Sequence, residues 1–431
     1  MVIDMESFQN IAVDPATQIA SIGTGVRLGN VATGIYNQGK RALPHGTCPG
    51  VGLGGHATHG GFGYSSRAWG LTLDTIVGMD AILANGTQVS ITKDSNADLW
   101  FALRGAASDF AIITTFHLQT QPAPDQVVNW QYNLPNMFTS ASTSANYMAH
   151  IQSFALNPQL VDRHLGLGMY IDGNTFYVSG TYFGTLSDFE TRLVPELLRG
   201  LPAPVWNNTY SKSWLDSLSM LANYAPLQQP LTGYSQHDDF FAKSVVTPAA
   251  DPLSLAAMTN YFAYMIANGT SSSSSSSSNG NSWFSIMNLY GGPDSQINAV
   301  PIDSSAYSDR DALWVVQHYA RTTSSNTGSP AFPDSEVAFL DGLNTALQLQ
   351  QPMAPPPPQQ PQPQPQNAGG GGQAAAAAAF RAYQNYVDPT LSATQAHSLY
   401  YGDETYARLL GIKDQVDPGR VLMNPQSVGA S

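Results

Sequence analysis

The feature that most constrains this chain is a glycine-saturated segment around its only cysteine. It reads His45-Gly46-Thr47-Cys48-Pro49-Gly50-Val51-Gly52-Leu53-Gly54-Gly55-His56 and continues through Gly60-Gly61-Phe62-Gly63 to Ser66-Arg67. Glycine permits positive φ and lets main-chain N–H groups come close to a ligand. So many glycines together turn backbone, rather than side chains, toward something large and flat. A single thiol among them marks a place for bonding rather than packing. The segment reads as a loop that wraps a covalently held cofactor.

Blander readings fit less well. Gly52-Leu53-Gly54-Gly55-His56-Ala57 matches the loose dinucleotide pattern G-x-G-x-x-A, which counts only between a hydrophobic strand and a helix. Pro44 and Pro49 flank the cysteine, and glycines follow where a helix should begin, which argues against a nicotinamide-type site. A lone cysteine often serves as core filler, yet Pro and Gly neighbours make a core strand or helix at Cys48 a poor fit. H-E-x-x-H, paired C-x-x-C and G-x-S-x-G signatures are missing, which removes support for their chemistries.

Composition narrows the field further. With 17 basic against 30 acidic residues and a net charge of −13, the chain would be repelled by a nucleic-acid backbone. No run of about 18 apolar residues exists, so no membrane span is expected. Charged residues make up only 11%, below the roughly 25% of an average soluble domain, as suits an extracellular enzyme acting on neutral substrates. Met1-Val2-Ile3-Asp4-Met5-Glu6 has neither the basic start nor the apolar core of a signal peptide. One cysteine forms no internal disulfide. Sequons at Asn85, Asn207 and Asn268 would accept glycans on a secreted protein.

At 431 residues there is room for two domains. Ile19 to Gly23 predicts a strand, Leu28 to Asn37 a helix, Asp98 to Gly105 a helix capped by Asn96, and Phe110 to Leu118 a strand. Pro122 to Pro124 mark a boundary. Beyond it, Val127 to Tyr132 opens a strand-rich region. Met169-Tyr170-Ile171 and Thr175 to Tyr182 read as a hairpin about a tight Asp172-Gly173 turn. Ser187-Asp188-Phe189-Glu190 reads as a capping box opening a helix that Gly200 closes. Polyserine at 271–280 and the Pro/Gln, Gly and Ala tracts of 350–379 read as flexible inserts.

Gly46-Thr47-Cys48-Pro49, Val51 to His56, Gly60-Gly61-Phe62-Gly63 and Gly70-Leu71-Thr72-Leu73-Asp74 together resemble the berberine-bridge-enzyme-like flavin oxidases. Within that branch of the vanillyl-alcohol-oxidase superfamily, the fungal gluco- and chito-oligosaccharide oxidases are most similar. The likeness continues through Asn96 to Gly105 and Phe110-Ala111-Ile112-Ile113. It returns at Tyr383-Gln384-Asn385-Tyr386-Val387-Asp388, at Tyr400-Tyr401-Gly402 and at Asn424-Pro425-Gln426-Ser427. The resemblance implies an α+β fold in three parts: a PCMH-type FAD-binding domain over 1–122, a substrate domain of antiparallel sheet and covering helices over 123–382, and a segment, 383–431, that returns to the first domain. Relatives begin with a further flavin-binding subdomain bearing an Arg-Ser-Gly-Gly-His loop. No such loop precedes Ile19 here, so the expectation is an FAD domain incomplete at its N-terminus, with an exposed sheet edge near Ile19, poor folding and weak FAD binding.

The resemblance also assigns residues. Cys48 matches the cysteine that bonds flavin carbon 6. Gly46, Thr47, Val51, Gly52, Gly54, Gly55, His56, Gly60, Gly61, Gly63, Ile112, Asn424 and Gln426 fall in cofactor-binding stretches. Valine at position 51 goes with O2 as electron acceptor and H2O2 as product, and His56 matches a histidine beside the flavin. Tyr386 matches the base that takes the substrate hydroxyl proton and also touches the cofactor. The aspartate that helps this base in relatives is replaced by Asn288, which can donate a hydrogen bond but accept no proton at neutral pH. Relatives read Pro-His-Arg where this chain reads Ser308-Asp309-Arg310, so Arg310 is kept and Asp309 is expected at the surface. Phe240-Phe241-Ala242-Lys243-Ser244 reads as structural. Trp130, Tyr132, Trp206, Tyr210, Trp214 and Trp283 are candidates for a flat sugar platform.

The implied activity is FAD-dependent oxidation of a carbohydrate hydroxyl, at C1 of an oligosaccharide, by a monomeric enzyme with no metal, extracellular in the full-length relative and of unknown location for this chain. Two alternatives remain: oxidation or dehydrogenation of a small alcohol or secondary metabolite, and an inert or binding protein on the same scaffold.

Overall fold

The computed structural model describes residues 3–235, 238–269, 282–322, 332–350 and 380–430. The polyserine run and residues 351–379 of the second insert lie outside the described residues. Up to residue 122 the chain forms β1 (Ile11–Val13), β2 (Ile19–Gly23), α1 (Leu28–Asn37), β3 (Arg41–Ala42), α2 (Leu53–Thr58), β4 (Ile76–Leu83), β5 (Gln88–Ile91), α3 (Ala97–Ala102), β6 (Ala111–Gln119) and β7 (Gln121–Pro122). Five of these strands make an antiparallel sheet in the order β1-β2-β6-β4-β5, and β3 pairs with β7. Leu28, Val31 and Ile35 fall on one side of α1, the helical repeat that lets them pack on Ile22 and Phe116.

Several local expectations are corrected here. Ile19 is not at an edge: β2 is paired on both sides, and β1 takes the edge. Asn96 precedes α3 but does not cap it. Its φ is +60°, and its amide donates instead to the Ser90 carbonyl. A helix does begin within the glycine run, since Gly52 enters α2 directly.

From residue 127 the chain builds β8 (Val127–Asn133), α4 (Ala141–Ala155), β9 (Leu165–Ile171), β10 (Phe176–Tyr182), β11 (Trp206–Lys212), α5 (Trp214–Leu221), β12 (Asp239–Pro248), α6 (Leu255–Asn268), β13 (Ser282–Leu289), β14 (Ala312–Thr322) and α7 (Asp334–Gln348). The seven strands form one antiparallel sheet, β11-β8-β10-β9-β13-β14-β12. One face carries the larger core, where Leu167, Met169, Trp283, Met287 and Trp314 meet Met148, Phe154, Met258, Tyr261, Phe262 and Leu340 of α4, α6 and α7. Strand side chains alternate between faces, so the intervening residues face the other way. That opposite face forms the wall of the site.

The β9–β10 connection is four residues long rather than a two-residue Asp-Gly turn. The Asp172 carboxylate closes it by accepting the Asn174 and Thr175 amides, an Asx-type turn. The helical stretch after it is capped by Thr185, whose hydroxyl accepts from Asp188, and not by Ser187.

After the second insert the chain returns. Arg381 bridges to Val246 at the rim of β12, and α8 (Ala393–Tyr400) and α9 (Asp403–Val416) follow. Ser392 and Gln395 make a reciprocal cap at the start of α8. Ala396, Tyr400, Leu409 and Ile412 pack into the core of the first sheet.

Candidate active site

The Cys48 loop is tied to the start of α1. Leu28 N–H donates to the Val51 carbonyl (2.9 Å) and Gly29 N–H to the Pro49 carbonyl (3.0 Å), while Leu53 N–H donates to the Val26 carbonyl (2.9 Å). These bonds fix a short turn whose thiol stays exposed. Thr47, Cys48 and Val51 line the mouth of a groove of about 1230 Å³. Side chains added at Gly52 and Gly55 would meet nothing within 4 Å, so the helix surface behind the thiol is bare backbone facing open space.

The remaining glycines of the run serve the frame. Gly54 packs on Thr24, Gly60 on Tyr307 and Tyr383, and Gly63 on the His45 carbonyl. Gly61 has φ +84°, a conformation that favours glycine, and aims its N–H at the Tyr383 hydroxyl (3.0 Å). His56 accepts the Gly46 N–H on Nε2 (3.1 Å). Burial, with His45 nearby, pushes its pKa down to about 3, so the ring stays neutral and spans the base of the loop. Ile112 lies on β6 opposite Ile82 and does not line the groove. Asn424 and Gln426 are elsewhere too: Gln426 donates to the Asp388 (2.7 Å) and Leu391 (3.0 Å) carbonyls and braces the segment that carries Tyr386.

Tyr386 comes from the far end of the chain. It packs with Phe62 on the cluster of Leu71, Leu73, Tyr290, Tyr307 and Tyr383. Its phenol is held well above the usual tyrosine value by burial, with Tyr383 and Cys48 adding to the effect. The same cysteine acts on Tyr319. Thiol, Tyr386 and Tyr319 therefore share one neighbourhood.

Asn288 is on the groove face of β13, paired with Gly168 of β9, and its Oδ1 would stand 3.0 Å from a side chain at Gly168. Tyr64 lies beside it, hydrogen-bonded to Ser179 (3.1 Å). Rings stack across five neighbouring strands: Tyr177 on Tyr170 (4.8 Å), Tyr170 on Phe284 (5.6 Å), Phe284 on Tyr319 (4.8 Å) and Tyr319 on Phe240 (4.8 Å). Their planes are within 23° of parallel, so the rings largely cover each other's faces. Toward the groove they offer edges and hydroxyls, two of which are bonded to Asp172 and Asp238.

This row was missed in favour of the tryptophans. Trp130, Tyr132, Trp214 and Trp283 are in fact core residues, each no more than 4% exposed, and only Trp206 and Tyr210 reach solvent. Alternation gave the missing signal: with Trp283 inward, Phe284 must face outward.

Asp309 is also corrected, since it is buried rather than at the surface. Its Oδ1 has no hydrogen-bond partner among the described residues, and burial lifts its pKa to about 7. Arg310 beside it makes a buried bidentate pair with Asp74 (2.6 and 2.9 Å). Lys243, also buried, bonds Asp388 (2.5 Å), two residues beyond Tyr386. Among the described residues no cluster suits a metal ion.

A flat ring system with one point of covalent attachment fits these residues. Bare glycine backbone would pass beneath it, the free thiol would reach its edge, and the sheet wall would leave room for a second molecule. The comparisons agree. A model described as "FAD binding domain" matches residues 1–92, and one described as "Berberine and berberine like" matches 382–429. A xylooligosaccharide oxidase of Thermothelomyces thermophilus is 33% identical over 99% of this chain and 78% of its own length. The solved xylooligosaccharide oxidase from Myceliophthora thermophila, in complex with xylobiose, superposes with a TM-score of 0.82, 30% identity and coverage of 100% of this chain and 82% of that one. The glucooligosaccharide oxidase of Acremonium strictum, described with a 6-S-cysteinyl, 8α-N1-histidyl FAD, gives 0.82 at 28% identity, covering 98% and 80%. The chain belongs to the berberine-bridge-like family of FAD-linked oxidases, beside the fungal oligosaccharide oxidases.

Proposed function

We propose that this protein oxidises the C1 hydroxyl of an oligosaccharide and passes the electrons to O2, giving H2O2. The observation that carries the reading is the exposed Cys48 thiol at the mouth of a groove of about 1230 Å³. That volume exceeds the roughly 300–1000 Å³ of an ordinary small-ligand pocket and suits a flavin ring together with a sugar chain better than a small alcohol alone.

When bound, FAD supplies the two-electron acceptor that receives the C1 hydride and is reoxidised by O2. Cys48 and the glycine face of α2 would hold it. Tyr386 is the candidate base for the hydroxyl proton. Only its phenolate can take that proton, and the raised pKa makes the phenolate scarce at neutral pH, so substrate oxidation should speed up as pH rises. Asn288, on the groove face of β13, can donate a hydrogen bond to a bound substrate but takes up no proton. Val51, 42% exposed on the thiol turn, is the small side chain there that supports O2 as the acceptor. Tyr64, Ser179 and Tyr170 provide groove hydroxyls that can orient the sugar.

Purified protein should be yellow and should release peroxide with cello-, chito- or xylo-oligosaccharides but not with small aromatic alcohols. Yellow protein whose flavin is never reduced by any of these under anaerobic conditions would sink the reading and leave an inert scaffold.

A further inference from the structure

Trp206 and Tyr210 lie outside the groove, on the edge strand β11, and remain 46% and 44% exposed. Thr209, between them, bonds Tyr132 on the core side (2.8 Å), so Trp206, Asn208 and Tyr210 point to the groove side of the sheet. Cross-strand pairing carries the groove wall out to them without a break. Trp206 pairs with Asn133, Asn133 with Tyr177, and Tyr177 with Tyr170. Asn208 pairs with Gln131, and Gln131 with Ser179. Tyr170, Tyr177, Gln131 and Ser179 all line the groove.

The two aromatics differ from the stacked row in one respect: among the described residues no ring covers a face of Trp206 or Tyr210. Only Lys212 approaches, 5.3 Å from the Tyr210 centroid. The row also carries fixed polar atoms, since the Tyr210 hydroxyl donates to Asn208 Oδ1 (3.1 Å). An open ring face beside orienting amides suits the C–H face and hydroxyls of a sugar. β11 lies four strand spacings from β13, which bears Asn288, or roughly 19 Å at the usual spacing.

We propose that Trp206, Asn208 and Tyr210 form a distal sugar subsite that holds the far end of an oligosaccharide whose C1 end sits near Cys48 and Tyr386. The proposal rests on the oligosaccharide-oxidase reading and adds a preference for chains longer than a disaccharide. The occupant is the substrate rather than a second copy of the chain, because the register makes this row a continuation of the groove wall.

Steady-state kinetics of the holoenzyme on a disaccharide and a pentasaccharide of one sugar tests this. Trp206→Ala is expected to lower kcat/KM for the pentasaccharide about tenfold through KM, with kcat and the disaccharide constants kept within about twofold. Trp206→Phe should restore most of the loss. Equal losses on both lengths, or none on either, would overturn the subsite while leaving the oxidase reading intact. A wild-type dimer that Trp206→Ala dissolves would also overturn it, giving β11 to self-pairing. If wild-type enzyme oxidises no oligosaccharide of any length, both readings fall together.

Discussion

Tyr386 stands edge-on to Tyr383, with ring centroids 5.0 Å apart and planes at 79°. Tyr383 is locked by the Gly61 N–H (3.0 Å) and the Asn385 amide (2.9 Å). No hydrogen bond to another described residue engages the Tyr386 hydroxyl, which leaves it available to substrate. Removing it should cost the proton-transfer step alone. Tyr386→Phe is expected to slow anaerobic flavin reduction by about 100-fold or more, with unchanged flavin content. Unchanged reduction rates in stopped-flow absorbance would rule Tyr386 out as base.

Cys48 is free and exposed, as a thiol needed for bond formation must be. Cys48→Ser should abolish any flavin bond made through this residue, read as a change in the mass of the flavinylated peptide.

Asp309 sets a stability slope. Burial holds its carboxyl at about 7 against an ordinary 3.8. Between those values the folded protein keeps a proton that the unfolded chain has released, so this group lowers stability as pH rises from about 4 to about 7, by at most about 4 kcal/mol. His56 and His318, both pushed down to about 3 by burial, act in the opposite sense below their ordinary 6.5. The difference between Asp309→Asn and wild type isolates the aspartate. Denaturant titrations should find the variant gaining relative stability from pH 5 to pH 8, and a difference that does not move with pH would refute the assignment.

Lys243 positions the segment that carries the base. Its ammonium bonds buried Asp388 and also Asp341 (2.6 Å). Lys243→Met would leave the Asp388 carboxylate buried without its cation, at a cost of about 3–5 kcal/mol. A lowered melting temperature is expected, together with a kcat loss larger than the change in KM. Loss of stability with kcat intact would show that Lys243 acts on the fold alone.

Much of this was legible in the chain. Cys48 among glycines pointed to a ligand loop because proline and glycine exclude packing roles there, and the helix at Leu28–Asn37 followed from its apolar repeat. Other features depended on contacts distant in sequence. Nothing local reveals that Asp309 is buried, since the elements that cover it come from other parts of the chain. Asn96 has an N-cap's residue type, yet a positive φ redirected its amide to Ser90. The tryptophans drew attention through size, while the groove face was written in the parity of Tyr170, Tyr177 and Phe284.

The ring row that faces the groove also fastens the sheet. A one-residue slip in β9, β10, β13 or β14 would drive a stacked ring into the core and pull a core residue out. The rings on the groove face are therefore the same ones that hold five strands in step. Changing what this enzyme accepts at Phe284 or Tyr319 would draw on its folding margin, whereas the unstacked Trp206 can vary at little cost. Substrate range should diversify first at the edge strand and last at the centre.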